Sequence, residues 1–119
     1  MMSRPIGFAH EDRALAYLQA QGLRLIVRNF SCKLGEIDLI MQDPLKKLIF
    51  VEVRYRGSKN YGSSAASVSR GKQIRLARTA NWFLRAHYPG SPPLCRFDVV
   101  AINGDNESEL NWIKNAFYT

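Results

Sequence analysis

Gly35-Glu36-Ile37-Asp38-Leu39-Ile40-Met41-Gln42 and the nearby Leu48-Ile49-Phe50-Val51-Glu52-Val53-Arg54-Tyr55-Arg56 decide the fold. The second stretch is rich in β-branched and aromatic residues, the first is apolar around Ile37 and Ile40, and Asp43-Pro44 breaks the chain after it, so they read as two strands. Strand alternation puts Glu36, Asp38 and Ile40 on one face of the first strand and Ile37, Leu39 and Met41 on the other. In the second, Phe50, Glu52 and Arg54 share one face while Val51 and Val53 take the other. If the strands pair as a hairpin and these faces coincide, Asp38 and Glu52 reach a common point. A carboxylate flanked by Ile, Leu, Phe and Val in a central strand is costly to bury unless it is paired or binds a metal. Hard oxygen donors with no Cys or His beside them select Mg²⁺ or Mn²⁺ over zinc. The competing reading is structural: Asp38 and Glu52 form ion pairs with Arg54, Arg56 or Arg96.

Outward from this pair, Phe8, Ala14, Leu15 and Leu18 recur at helical spacing between Phe8 and Gln21, and Gly22 supplies a stop. Glu11 falls on or beside that apolar stripe. It either reaches water from the edge of the stripe or turns inward toward a metal or a positive group. Leu23 to Phe30 reads as a strand joined to Gly35–Gln42 by a turn at Lys33-Leu34-Gly35, so three strands form an antiparallel meander. Gly57 to Ser67, rich in Gly and Ser, reads as a mobile loop. A second helix runs from about Ser69 to His87, with Leu76, Ala77, Ala80, Phe83 and Leu84 toward the core, and ends before Pro89-Gly90. Arg96 to Asn103 is a fourth strand and Gly104-Asp105-Asn106 a turn. Leu110 to Ile113 is a short fifth strand, followed by a brief C-terminal helix. The expected order is αβββαβ with a β-α tail.

At 119 residues, the chain fits a single domain spanning residues 1–119, with one core and one main site. A hydrophobic fraction of 46% and a charged fraction of 23% exclude a largely disordered chain. Seventeen Lys and Arg against ten Asp and Glu leave a formal charge of +7, which attracts polyanions, although a basic balance also serves solubility alone. Arg75, Arg78, Trp82 and Arg85 share one face of the second helix, and Arg70 and Lys72 stand at its start. This face reads as a backbone-binding stripe outside the active site, or as a solvated basic surface. Arg56, Lys59, Asn60 and Tyr61 leave the third strand close to Glu52 and are placed to touch a nucleic-acid backbone. Cys32 and Cys95 lack partners at metal-ligand spacing and read as reduced, buried thiols. The start of the chain lacks a signal-peptide pattern, and no run approaches the roughly 18 apolar residues of a membrane span, so a cytoplasmic location is expected.

Glu11, Gly35-Glu36-Ile37-Asp38, Phe50-Val51-Glu52-Val53-Arg54-Tyr55-Arg56, Tyr61-Gly62, Lys72-Gln73, Arg96-Phe97-Asp98-Val99-Val100 and Trp112-Ile113-Lys114-Asn115-Ala116-Phe117 together resemble the bacterial YraN family. That family is grouped with restriction-endonuclease-like and Holliday-junction-resolvase-like nucleases. The resemblance implies a three-layer αβα fold around a mixed five-stranded sheet, with a PD-(D/E)xK site. It makes Asp38 the first carboxylate, Glu52 the second, and Arg54 the counterpart of the motif's Lys. It places Glu11 near the metal and matches Gln73 to a helix Gln of some members. Ile37 stands in place of the motif's Pro. Arg54 in place of Lys touches mechanism: a guanidinium stays charged and cannot act as a general base, although it can orient phosphate or stabilise developing negative charge.

The sequence therefore leads to a metal-dependent phosphodiesterase acting on DNA, branched or structured DNA included. Mg²⁺ or Mn²⁺ would be held by Asp38, Glu52 and Glu11. Catalysis would draw on Asp38, Glu52, Arg54, Glu11 and Gln73, and substrate contacts would come from Arg56, Lys59, Tyr61, Arg70, Lys72 and Arg75. The alternative is a non-catalytic nucleic-acid-binding or scaffold protein on the same fold. A basic RNA- or ribosome-associated protein would explain the charge but not the paired strand carboxylates. A two-fold dimer would present two sites to two strands.

Overall fold

Helix α1 spans Ile6–Ala20, and strands β1, β2 and β3 follow at Arg24–Cys32, Gly35–Gln42 and Leu48–Arg56. Helix α2 occupies Arg70–His87, and strands β4 (Cys95–Asn103) and β5 (Leu110–Phe117) complete the chain. The computed structural model describes residues 6–56, 68–104 and 110–117. The connector Gly57–Ser67, the turn residues Asp105 and Asn106, and the side chain of Phe8 lie outside the described residues.

The five strands form one sheet in the order β1-β2-β3-β4-β5. β1, β2 and β3 pair antiparallel as a meander, β3 and β4 run parallel, and β5 returns antiparallel to β4. A parallel pair needs a crossover, and α2 lies within it. Two apolar clusters make the fold three-layered. Ala14 and Leu18 of α1 pack with Leu39, Met41, Ile49, Val51, Val100 and Ile102 on one face of the sheet. Leu76, Ala80 and Phe83 of α2 pack with Ile37, Ile40, Phe50 and Phe97 on the other. Strands buried on both faces account for the near-continuous apolar runs of β2, β3 and β4.

Local signals fix the helix ends. Ser69 caps α2, its hydroxyl accepting from the Lys72 N–H at 3.2 Å. At the other end, the Tyr88 N–H donates to Leu84 O, and Arg85 and His87 sit in the last turn, where positive charge suits the carbonyl end. After α1 ends at Ala20 the chain turns at Gly22, whose φ of 100° is left-handed, and Leu23 N–H returns to Leu18 O.

Three expectations are corrected. The residues after Ile113 continue β5 to Phe117 and form no helix. Asn115, at φ 55°, donates its N–H to Asp98 Oδ1, so a local irregularity interrupts the alternation while the strand persists. Ile37 packs with Ile40 and Phe50 rather than with Leu39 and Met41. The β2–β3 ladder runs only from Gln42↔Leu48 to Leu39↔Val51, so β2 leaves its neighbour at Asp38 and strict alternation fails there. Cys95 is exposed at the start of β4, whereas Cys32 is half-buried; both thiols are free, as expected.

Candidate metal and phosphate site

The departure of β2 from β3 opens a gap, and the Asp38 carboxylate fills it. Its Oδ2 accepts the Val53 N–H at 2.8 Å, a backbone donor beyond the last ladder pair. Glu52, on the neighbouring strand, is only 5% exposed and close enough to hydrogen-bond with Asp38. Burial, then the charge of Glu52, pushes the Asp38 carboxyl up to about 7 from an ordinary 3.8. The Val53 N–H opposes that rise, and the charge of Glu11 adds to it. Two strand carboxyl groups thus share one site, and the charge of Glu52 disfavours ionisation of Asp38.

From the opposite layer, α2 supplies positive charge. Lys72 Nζ lies 2.6 Å from Glu52 Oε2. Gly35, Glu36, Asp38, Glu52, Lys72, Arg75 and Leu76 line a cavity of about 160 Å³. A cavity of that size has room for several waters, and so for a partly hydrated cation or a phosphate group. Helix and strand approach so closely here that a Cβ on Gly35 would stand 2.9 Å from Thr79 Oγ1. Gly35 also has a φ of 150°, so a side chain at this position would be both crowded and strained.

The other candidate residues are distributed unevenly. Glu11 reaches the site electrostatically, but its carboxylate is engaged by Arg28 Nε at 3.4 Å, and Arg28 also pairs with Asp12 at 2.6 Å. His10, its neighbour, stacks on Tyr55 with ring centroids 3.5 Å apart, tying α1 to the end of β3. Among the described residues, no group of three His, Cys, Asp or Glu side chains is assembled for a metal ion, so Asp38 and Glu52 stand as a pair. Gln73 braces the start of α2: its Nε2 donates to Val68 O at 2.8 Å and its Oε1 faces Arg70 at 3.5 Å. It does not line the cavity. Arg54 is half-buried two residues beyond Glu52 on β3. Arg96 is committed to Asp98, which removes it as a counterion for the pair. Lys59, Tyr61 and the side chain of Arg56 lie outside the described residues.

Two assignments shift. Arg75 belongs to the cavity wall as well as to the exposed basic face of α2, where Arg78, Trp82 and Arg85 are also exposed. Lys72, read from sequence as a backbone contact, is an ion-pair partner inside the site. The signal for it was present: Lys72 lies four residues before Leu76 and seven before Thr79, on the stripe that α2 buries.

A family model described as "Uncharacterised protein family UPF0102" matches residues 10–102. The chain belongs to the UPF0102 family. A UPF0102 protein of Herminiimonas arsenicoxydans is 56% identical over 111 residues, covering 93% of this chain and 85% of that protein. A UPF0102 protein of Ralstonia nicotianae is 52% identical over 114 residues, with the same coverage. This is the family that the sequence motifs resemble under the name YraN. Two solved structures are more distantly similar, each at 15% identity over 89% of this chain. They are a repair endonuclease from Pyrococcus abyssi (TM-score 0.49) and the EndoMS-dsDNA2 complex (TM-score 0.46). This UPF0102 chain spans about two fifths of their lengths, 42% and 40%. No helix among its described residues is long and apolar enough to cross a membrane.

Proposed function

We infer that this protein is a divalent-metal-dependent endonuclease that hydrolyses phosphodiester bonds in DNA, branched or structured DNA included. One observation carries the reading: a buried and a half-buried strand carboxyl group, Glu52 and Asp38, side by side on a small polar cavity walled by Lys72 and Arg75. A carboxyl held up to about 7 is an expensive arrangement if its only purpose is packing. The donor set fits Mg²⁺ or Mn²⁺, since such ions take one or two carboxylates and keep several waters. Asp38 and Glu52 would hold the ion, with Glu11 as a further oxygen donor if it leaves Arg28. An ion held there would lower the pKa of a coordinated water and offset negative charge on the phosphoryl oxygens.

The chain's residues divide the remaining work. Arg75 in the cavity wall, with the ammonium of Lys72, orients a phosphate whose oxygens enter the cavity. Arg54, permanently charged, stabilises the developing negative charge and takes no proton. Arg70, Arg78 and Arg85 extend the positive surface along α2 and bind the backbone outside the cavity, an interaction that weakens with salt. Arg56, Lys59 and Tyr61 are further candidates for that contact, and Gln73 supports the site by fixing the first turn of α2.

A second reading, nucleic-acid binding without catalysis, draws support from the Lys72–Glu52 pair, which balances one buried carboxylate without any ion. One experiment separates the two. Cleavage is assayed with Mg²⁺ and with Mn²⁺ on duplex, single-stranded, flap and four-way-junction DNA, with Glu52→Gln in parallel. Metal-dependent cutting by wild type that is lost in Glu52→Gln supports the nuclease. Binding without cutting on every substrate supports the second reading.

A further inference from the structure

Lys72 is placed for two positions. Its backbone is pinned by the Ser69 cap at 3.2 Å, yet its side chain is 38% exposed and ends on a carboxylate that is itself only 6% exposed. The four-carbon stem is flexible and its charge is a compact point, so the ammonium can leave Glu52 without moving the helix. The neighbouring residues of that turn are held differently: Arg70 faces Gln73 at 3.5 Å, and Gln73 is tied to Val68. Lys72 is therefore the side chain of this turn that meets buried Glu52. Building on the metal-site reading above, we propose that Lys72 is an exchangeable counter-cation that links metal occupancy of the Asp38–Glu52 pair to the grip on a phosphate backbone.

The physical argument is competition for the same oxygens. An ammonium 2.6 Å from Glu52 Oε2 neutralises the carboxylate in the metal-free protein. A divalent cation on the pair repels that ammonium and takes over its partner. Lys72 then swings within the cavity that it already lines with Arg75, and a positive charge formerly spent on Glu52 faces whatever anion enters. The metal-loaded protein thus gains a phosphate ligand that the metal-free protein lacks. Linkage requires the converse: bound phosphate draws Lys72 away from Glu52 and strengthens metal binding by the same factor. A nuclease built this way holds substrate most tightly when its ion is in place.

The test uses the full chain as wild type, Lys72→Met and Lys72→Arg. Mn²⁺ affinity is measured by calorimetry, and affinity for a short labelled DNA duplex by anisotropy with and without Ca²⁺ at constant ionic strength. Thermal melts confirm that each variant is folded. Lys72→Met is expected to bind Mn²⁺ about tenfold more tightly than wild type, because the competitor is gone. Ca²⁺ is expected to strengthen duplex binding by wild type about tenfold beyond its effect on Lys72→Met. Lys72→Arg, which keeps the charge, is expected to retain much of that enhancement. Equal or weaker Mn²⁺ affinity in Lys72→Met, or an undiminished Ca²⁺ enhancement, overturns the exchange while leaving the metal site intact. Failure of wild type and Lys72→Met alike to bind Mn²⁺ overturns the metal-site reading together with the exchange.

Discussion

Two sets of strand acids in this protein are treated in opposite ways. Asp98, on β4, is fully buried and accepts hydrogen bonds from Arg96 Nε (2.9 Å), the Arg96 terminal nitrogen (3.2 Å), Trp112 Nε1 (2.8 Å) and Asn115 N–H (2.9 Å). Both of its oxygens are occupied, its charge is balanced, and its donors come from β4 and β5, so it fastens one strand to the next. Glu52 is also buried and Asp38 half-buried, on neighbouring strands, but each is the other's neighbour. Among the described residues, their donors are one backbone N–H and one partly exposed lysine. Burial alone therefore does not mark chemistry. An acid given a full set of rigid donors is a fastener, whereas an acid pair left with spare oxygens and a removable counter-charge is poised to take a ligand.

The sharpest way to break this comparison is Asp98→Ala. It leaves the Arg96 guanidinium, the Trp112 N–H and the Asn115 N–H without their shared acceptor, and is expected to cost about 3–5 kcal/mol in urea denaturation. A loss under about 1 kcal/mol would mean that the β4–β5 seam is held elsewhere. Next in size, Asp38→Asn is expected to lower single-turnover cleavage by about two to three orders of magnitude, with duplex binding at low salt largely kept. Equal cleavage by variant and wild type would assign the activity to another site or another protein.

The same Asp38→Asn change should move stability the other way. Asp38 binds its proton more tightly folded, at about 7, than unfolded, near 3.8. Stability from this group therefore falls as pH rises between those values, and above about 7 the full penalty is present. Asn removes the ionisation and keeps an oxygen for the Val53 N–H. With metal chelated at pH 8, the variant is expected to be more stable by about 1–3 kcal/mol, the advantage fading toward pH 4. A variant less stable at pH 8 would make Asp38 a fastener like Asp98. The smallest expected effect is Trp112→Phe, which removes one of the four donors to Asp98 and should cost about 1 kcal/mol.

Much of the architecture was legible because β2, β3 and α2 carry strong periodic patterns and clear stops at Asp43-Pro44 and Pro89-Gly90. The meander, the second helix and the proximity of Asp38 to Glu52 all follow from these. What the pattern hides lies where periodicity yields to tertiary contact. At Asp38 the strand parts from its neighbour, so Ile37 changes face. At Asn115 a left-handed residue breaks the alternation of Trp112-Ile113-Lys114, and the end of β5 looks helical in sequence. The Lys72–Glu52 ion pair was not legible because a lysine at a helix start is usually solvated, although its spacing to Leu76 and Thr79 put it on the buried stripe.

The pairing of β3 with β4 also sets an order of assembly. Within the meander, Cys32 meets Gly35 and Gln42 meets Leu48, so its loops close over short lengths of chain. Joining Leu48 to Cys95 requires closure of a far longer loop, with α2 docked inside it. Short loops close first because they lose less entropy, and a chain made from its N-terminus has the meander before the crossover exists. During folding, Asp38 and Glu52 are therefore expected to come together before Lys72 reaches them. The acids meet early and repel, and the docking of α2 relieves that repulsion, giving the slow, long-range step of folding an electrostatic reward of its own.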